Sequence, residues 1–313
     1  MLINRRSNVV GLTGGLGNQL FQLAYALSLS EGDEVYLDAH LGSPRVDRFG
    51  EPDIHGFNLP SGIVVCSGER KKWFLRKLSG YLLGLGLNKA HRRRFSFINL
   101  NLLRILFVTH LHSMKKIIIS EGVGFDSSLE LQIHGGVYFG YFQTHYWAAQ
   151  PRVKRSLMSL TPRLDEDFVG TYRNLSAVEK PLIVHIRLGD YRLDSQFGHL
   201  DSQYYLNAIS HMNSLEKFES IWLFSDEPEL AVHMLKGCEI PIRVIDGSQA
   251  TPASVLEVMR CGYGYVISNS TFSWWGAYLS HKSGAPVIAP NKWFNGQPEP
   301  INLIPSNWMR SAT

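Results

Sequence analysis

From residue 181 onward the chain alternates short apolar runs with stretches of helical period, and that alternation leaves few folds open. Leu182–Ile186 reads as a strand and is followed by a helical stretch, Ser202–Met212. The same order recurs as Ile221–Phe224 with Pro228–Leu235, Ile242–Ile245 with Ala253–Cys261, and Tyr265–Ser268 with Thr271–Ser280. A last strand, Pro286–Ala289, closes the series. Strands separated by helices of about ten residues cannot be joined as hairpins, so they predict a parallel, doubly wound α/β sheet. The N-terminal end starts the same way. Val9–Leu12 is apolar, Gly14-Gly15-Leu16-Gly17 forms a glycine cluster, Gln19–Leu29 has helical spacing, and Val35–Leu37 is a second strand. Ile117–Ile119 and Val137–Tyr141 read as further strands, and His145–Leu160 reads as one helix. Thr161-Pro162 and Lys180-Pro181 punctuate the middle, which predicts domains at 1–165 and 166–313.

Composition matters at three points. Apolar residues are 44% and charged residues 19%, enough for two cores and against disorder. Twelve Lys and Arg fall between Arg70 and Lys116, with no Asp or Glu among them, while the rest of the chain is net acidic. Trp73, Phe74, Leu78, Tyr81 and Phe97 interleave with those charges, a composition that suits a membrane surface better than nucleic acid, for which no motif is present, and that serves equally as an ordinary solvated face over a helical insertion. The three cysteines, Cys66, Cys238 and Cys261, lack any C-x-x-C spacing, which predicts a reducing compartment and no zinc site. No signal-peptide run opens the chain and no apolar stretch is long enough to span a bilayer. The expected location is cytoplasmic, with peripheral contact at the inner membrane.

Ligands of open parallel sheets bind beyond the carboxyl ends of the strands, and three clusters fall there. Gly14-Gly15-Leu16-Gly17-Asn18-Gln19 allows close backbone approach before a helix N-terminus. It is neither a dinucleotide fingerprint, since Leu20 stands where the third glycine belongs, nor a P-loop. By itself it serves equally as a ligand loop or a tight structural turn. In His185-Ile186-Arg187-Leu188-Gly189-Asp190-Tyr191, strand alternation puts His185, Arg187 and Gly189 on one face. The Arg187 fork suits phosphate oxygens, or else makes a structural pair with Asp190. In Ser268-Asn269-Ser270-Thr271-Phe272-Ser273-Trp274-Trp275, hydroxyls meet a helix start, which caps the helix and can also hold a phosphate. Trp274 and Trp275 are expected in the core.

Metal and hydrolase signals are weak. Asp165-Glu166-Asp167 matches a D-x-D pattern but follows Thr161-Pro162 and reads as a charged helix start. The twelve histidines show no H-x-x-x-H spacing, and there is no G-x-S-x-G elbow. No metal and no cofactor are expected.

Taken together and in this order, Gly14–Gln22, Gly140–Gln143, His185–Tyr191, Phe224–Glu227 and Ile267–Leu279 resemble the bacterial α1,2-fucosyltransferase family, glycosyltransferase family 11. The resemblance implies a GT-B architecture, two Rossmann-like domains facing across a cleft, with the acceptor in the first and GDP-fucose in the second. It implies that Arg187 meets the β-phosphate, that His185 lies beside the nucleotide, and that Ser270 and Thr271 cap the phosphates. Gly15, Gly17 and Asn18 would reach the donor from the first domain. Glu257, one helix before the phosphate loop, would contact the guanosine. Asp190 is the candidate general base and Asp194 the reserve.

The implied reaction is metal-independent, inverting transfer of L-fucose from GDP-β-L-fucose to a galactose-type hydroxyl. It forms an α1,2 linkage in bacterial O-antigen or surface polysaccharide synthesis, on an acceptor for which lipid linkage is an expected option. A fucosyltransferase of α1,6 or protein O-linked type, or a nucleotide-binding protein without transfer activity, are the alternatives. A dehydrogenase is disfavoured by the missing third glycine and by Arg187.

Overall fold

The computed structural model describes residues 7–30, 33–39, 44–67, 116–120, 123–130, 135–189, 200–296 and 298–311. The basic segment from Arg70 to Lys115, and Asp190 and Asp194, lie outside the described residues. The chain forms two compact units, Met1–Leu160 with Ile301–Leu303, and Thr161–Pro300 with Ile304–Thr313.

In the first unit the described strands run Ile63–Cys66, Val35–Asp38, Asn8–Gly11, Gly136–Phe139, Lys116–Ile119 across the sheet, all parallel. The helix Leu16–Leu29 crosses from the first strand to the second. It is buried almost all round, with the polar Gln19, Gln22 and Ser28 among the buried residues.

In the second unit the order is Ile242–Val244, Ile221–Ser225, Leu182–Ile186, Gly264–Val266, Val287–Pro290, Met309–Ser311, again all parallel. The chain starts at Leu182–Ile186, works outward to Ile242–Val244, and returns to the other side of its first strand. The sheet therefore reverses between Leu182–Ile186 and Gly264–Val266. In the first unit the reversal lies between Asn8–Gly11 and Gly136–Phe139. Leu182–Ile186 is buried at every position, as a central parallel strand covered on both faces must be. The helix Ser202–Leu215 seals one face by turning Tyr204, Tyr205, Ala208, Ile209 and Met212 inward, a single stripe at helical spacing.

Two parallel-sheet α/β units in succession are the components of the GT-B class expected from the sequence. One local expectation fails. Residues 145–160 are two helices, His145–Ala148 and Pro151–Met158, and not one. Pro151 has no N–H to give and pushes Gln150 to an extended conformation (ψ 129°), so the chain turns and restarts. The acidic run behaves as a helix start. Glu166 and Asp167 occupy the first turn of Glu166–Glu179, while Asp165 turns its carboxylate to the Thr251 N–H at 2.7 Å. Trp274 and Trp275 are fully buried, as expected, with Trp274 stacked on Tyr278.

Candidate functional site

In the second unit the candidate side chains gather at the point where the sheet reverses. His185 is the penultimate residue of one flanking strand, and the Ser268–Ser270 turn follows the other. The His185 Nδ1 lies 2.8 Å from the Ser268 hydroxyl, which joins the two strand ends. Burial, with the Arg187 charge nearby and only partly offset by Asp226, lowers the His185 pKa to about 3. The imidazole is therefore neutral at physiological pH and offers one donor and one acceptor nitrogen.

The strand ends at Ile186, so strand alternation does not aim Arg187; Asp226 does. Asp226 lies just past the end of the neighbouring strand, Ile221–Ser225. Its carboxylate accepts the Leu188 N–H at 3.0 Å and the Gly189 N–H at 2.9 Å, and it pairs with Arg187 Nη1 at 3.3 Å. A side chain at Gly189 would meet Asp226 Oδ2 at 2.6 Å, so only glycine lets the turn close over the carboxylate. Asp226 belongs to the Phe224–Glu227 stretch that the sequence singled out, but its role was not legible there. The available signal was that both segments leave adjacent strands at the same sheet edge.

Ser270 is the N-cap of Thr271–Tyr278, and its hydroxyl accepts the Phe272 N–H at 3.3 Å. Thr271 is the first helical residue. Asn269 is pinned by its amide to the Trp293 carbonyl at 3.2 Å, and Ser273 donates back to the Ser270 carbonyl at 3.2 Å. The turn is thus held by two hydrogen bonds, and its helix N-terminus follows the strand next to Leu182–Ile186.

Glu257 has a different setting. It is 2% exposed, and its two oxygens take Arg260 at 2.7 Å, Arg173 at 2.9 Å and His281 at 2.9 Å. Burial would raise its pKa, but the bond from His281 and the charges of Arg260 and Arg173 outweigh it and hold the carboxyl at about 2. Glu257 and Arg260 form a buried pair, and the more exposed Arg173 ties it to Glu166–Glu179, at the position where the sequence reading expected a guanosine contact.

In the first unit Gly15 caps the helix Leu16–Leu29 in an extended conformation, and Gly17 sits buried in its first turn. Gly14 adopts a φ of 72°, where glycine alone is unstrained. Two glutamines of the same motif hold the loop. Gln19 bonds the carbonyls of Gly14 and Arg45 and accepts the Ile54 N–H. Gln22 accepts the Thr13 N–H and donates to the Gly140 carbonyl, both at 3.0 Å. Asp53 is buried against the start of the helix and bonds the Leu16 backbone. Burial raises its pKa to about 6, although Arg45 pulls the other way. A carboxylate already complements this helix end, so the motif's free chemistry is the side chain of Asn18. Its Oδ1 accepts from Gln143 at 2.7 Å. Arg45 and Asp53 lie in a stretch without periodicity, and nothing in the sequence marked them.

Among the described residues no group of three or more His, Cys, Asp or Glu could hold a metal ion, and no helix is long and apolar enough to cross a membrane.

Residues 159–308, which carry the Arg187 and Ser270 motifs, match the model of glycosyl transferase family 11. The chain is 27% identical to the O-antigen biosynthesis glycosyltransferase WbnK of Escherichia coli, covering 91% of this chain and 94% of the relative. It is 26% identical to an α-1,2-colitosyltransferase of Escherichia coli, covering 96% of this chain and 98% of the relative. Among solved structures, the glycosyl transferase family 9 protein from Veillonella parvula DSM 2008 superposes with a TM-score of 0.49 at 10% identity, over 100% of this chain and 88% of that one. A family model over residues 159–308, and relatives aligned over nearly their whole length, support assigning the chain to the glycosyltransferases of family 11.

Proposed function

We propose that the protein transfers L-fucose from GDP-β-L-fucose, with inversion, to a galactose-type hydroxyl of a glycan acceptor. The product carries an α1,2 linkage and serves bacterial O-antigen or surface polysaccharide synthesis. The observation that carries this reading is Arg187, fixed by Asp226 at the reversal of the second sheet and next to the turn that starts Thr271–Tyr278. The GDP leaving group gains negative charge as the glycosidic bond breaks. A guanidinium and a helix N-terminus held rigid in advance stabilise that charge without reorganising. Neutral His185 supplies a hydrogen bond beside the nucleotide and adds no charge. Ser270 and Thr271 face the phosphates, and Gly15, Gly17 and Asn18 are the first unit's contribution to the donor. Direct attack by the acceptor hydroxyl on the β-linked donor gives the α product. Asp190 is the proposed base. A galactose-containing oligosaccharide is the proposed acceptor, lipid-linked and met at the membrane surface.

A second reading has a specific observation behind it. One relative, nearly as similar as the other, is named for colitose, which is fucose without its 3-hydroxyl. Both readings share the linkage and the leaving group and differ at one donor hydroxyl. The deciding experiment incubates the protein with GDP-fucose and GDP-colitose, each against galactose-ended acceptors, with linkage analysis of the product. An α1,2-fucosylated product with little transfer from GDP-colitose is expected. Preferential transfer of colitose overturns the donor assignment, and release of no GDP with either donor overturns the reading altogether.

A further inference from the structure

Asn18 and Gln143 are 125 residues apart in sequence, and their side-chain amides meet at 2.7 Å. The bond runs from Gln143 Nε2 to Asn18 Oδ1. An amide has one oxygen that accepts and one nitrogen that donates. With its oxygen engaged, Asn18 is left with its N–H₂ to offer.

Several features fix where the two amides meet, and the bond between them assigns which end of each faces the other. A Cβ at Gly14 would come within 2.3 Å of Asn18 Nδ2, so the amide fills the space that glycine leaves. Gln143 is 6% exposed and is aimed by Phe142, whose φ of 49° is left-handed and unfavourable for a residue with a Cβ. The Phe142 ring is fixed by stacking on Tyr25, with centroids 4.3 Å apart. On the far side the Thr144 N–H bonds the Phe142 carbonyl at 2.8 Å, and the Thr144 hydroxyl donates to the Asn302 carbonyl at 2.8 Å. The Gln22 amide ties Gly140 to the Gly14 loop. Strained backbone that persists because its surroundings dictate it is a mark of functional positioning. The Gln143 Oε1 is buried with no protein hydrogen-bond partner, a polar cost the site bears to keep the nitrogen toward Asn18.

We infer that Gln143 is a positioning residue that sets the polarity of the Asn18 amide, so that Asn18 presents its N–H₂ to an oxygen of the sugar nucleotide. Asn18 is then a hydrogen-bond donor to the donor substrate and does not accept the proton of the attacking hydroxyl. This rests on the reading above that the Gly14–Asn18 loop meets the donor.

Gln143→Glu is the informative change, because a carboxylate can only accept. It repels the Asn18 oxygen and turns the amide over. Asn18→Asp keeps the bond from Gln143 but replaces the presented N–H₂ by an oxygen. Gln143→Glu and Asn18→Asp are each expected to lower kcat/KM by about 10²-fold, as loss of one preorganised donor does. In an Asn18→Ala background, Gln143→Glu should change kcat/KM by less than about twofold, because residues acting through one contact are not additive. Additive losses, or wild-type turnover by Gln143→Glu, overturn the proposal. The orientation itself is read without substrate, from the side-chain amide signals of protein labelled with ¹⁵N at asparagine. One Asn18 amide proton should move downfield in Gln143→Glu, where it gains a carboxylate. A wild-type signal already shifted and unchanged by the substitution overturns the orientation. If wild type releases no GDP from GDP-fucose, the functional reading fails, while the amide signals still decide the polarity of Asn18.

Discussion

The His185 imidazole and the Ser268 hydroxyl, 2.8 Å apart, bridge the two strands between which the second sheet reverses. A reversal leaves a crevice because the connections on either side lead away from each other. Both motifs of the second unit sit on its rim. The first unit repeats the arrangement, with the glycine loop after one flanking strand and Gly140–Gln143 after the other.

Arg187 is expected to carry most of the leaving-group stabilisation. Arg187→Ala should lower kcat by about 10²–10³, or roughly 3–4 kcal/mol, in a protein that still folds. Arg187→Lys should recover little, since a point charge does not reproduce the fork. Asp226→Asn should cost less than Arg187→Ala, because it loosens the guanidinium without removing it. Steady-state kinetics on folded variants checks all three.

His185 links stability to pH. The unfolded chain takes up this proton near the ordinary value of 6.5, the folded protein only near 3. Between those values the unfolded state binds one more proton. Stability is therefore full above pH 6.5 and falls as pH drops through the window, by at most about 1.4 kcal/mol per unit. His185→Gln should flatten that part of the profile, seen as a smaller difference between urea midpoints at pH 7 and pH 5 than in wild type.

Glu257→Gln should act on stability and not on donor affinity. Breaking a buried pair leaves Arg260 uncompensated and costs roughly 3–5 kcal/mol. The expected result is a lower Tm with GDP affinity unchanged. A tenfold weaker affinity at unchanged Tm restores the guanosine contact.

Transfer should survive excess EDTA, with at most modest stimulation by divalent ions. Complete loss on chelation, restored by Mn²⁺, returns Asp165 and Asp167 to consideration as ligands, against the Thr251 bond that Asp165 makes.

The basic segment should hold the protein to anionic vesicles at low salt, since each cation near such a surface contributes about 1 kcal/mol. Co-sedimentation that disappears in Arg92→Glu, Arg93→Glu, Arg94→Glu protein supports this. Equal failure to bind anionic and neutral vesicles leaves a solvated face.

The sequence by itself determined the alternation of strand and helix, the parallel sheets, and the placing of the motifs beyond strand ends. These follow from hydrophobic period and from glycine and hydroxyl chemistry, which are local. Locality also explains the failure at Pro151, where apolar spacing continued through a residue whose missing N–H stops a helix. Only the tertiary structure decided which distant groups meet. Arg187 is aimed by Asp226, His185 is tied to Ser268 across 83 residues, and Asn18 is oriented by Gln143 across 125. Those meetings depend on the order of strands in the sheet, and no local spacing carries that order. Glu257 shows the same limit from the other side. Its helix position was readable, but the two arginines and the histidine around it arrive from Glu166–Glu179, from the residue that caps its own helix, and from beyond Thr271–Tyr278. Which partners surround a buried carboxylate is settled by packing between elements, and spacing along one helix does not carry it.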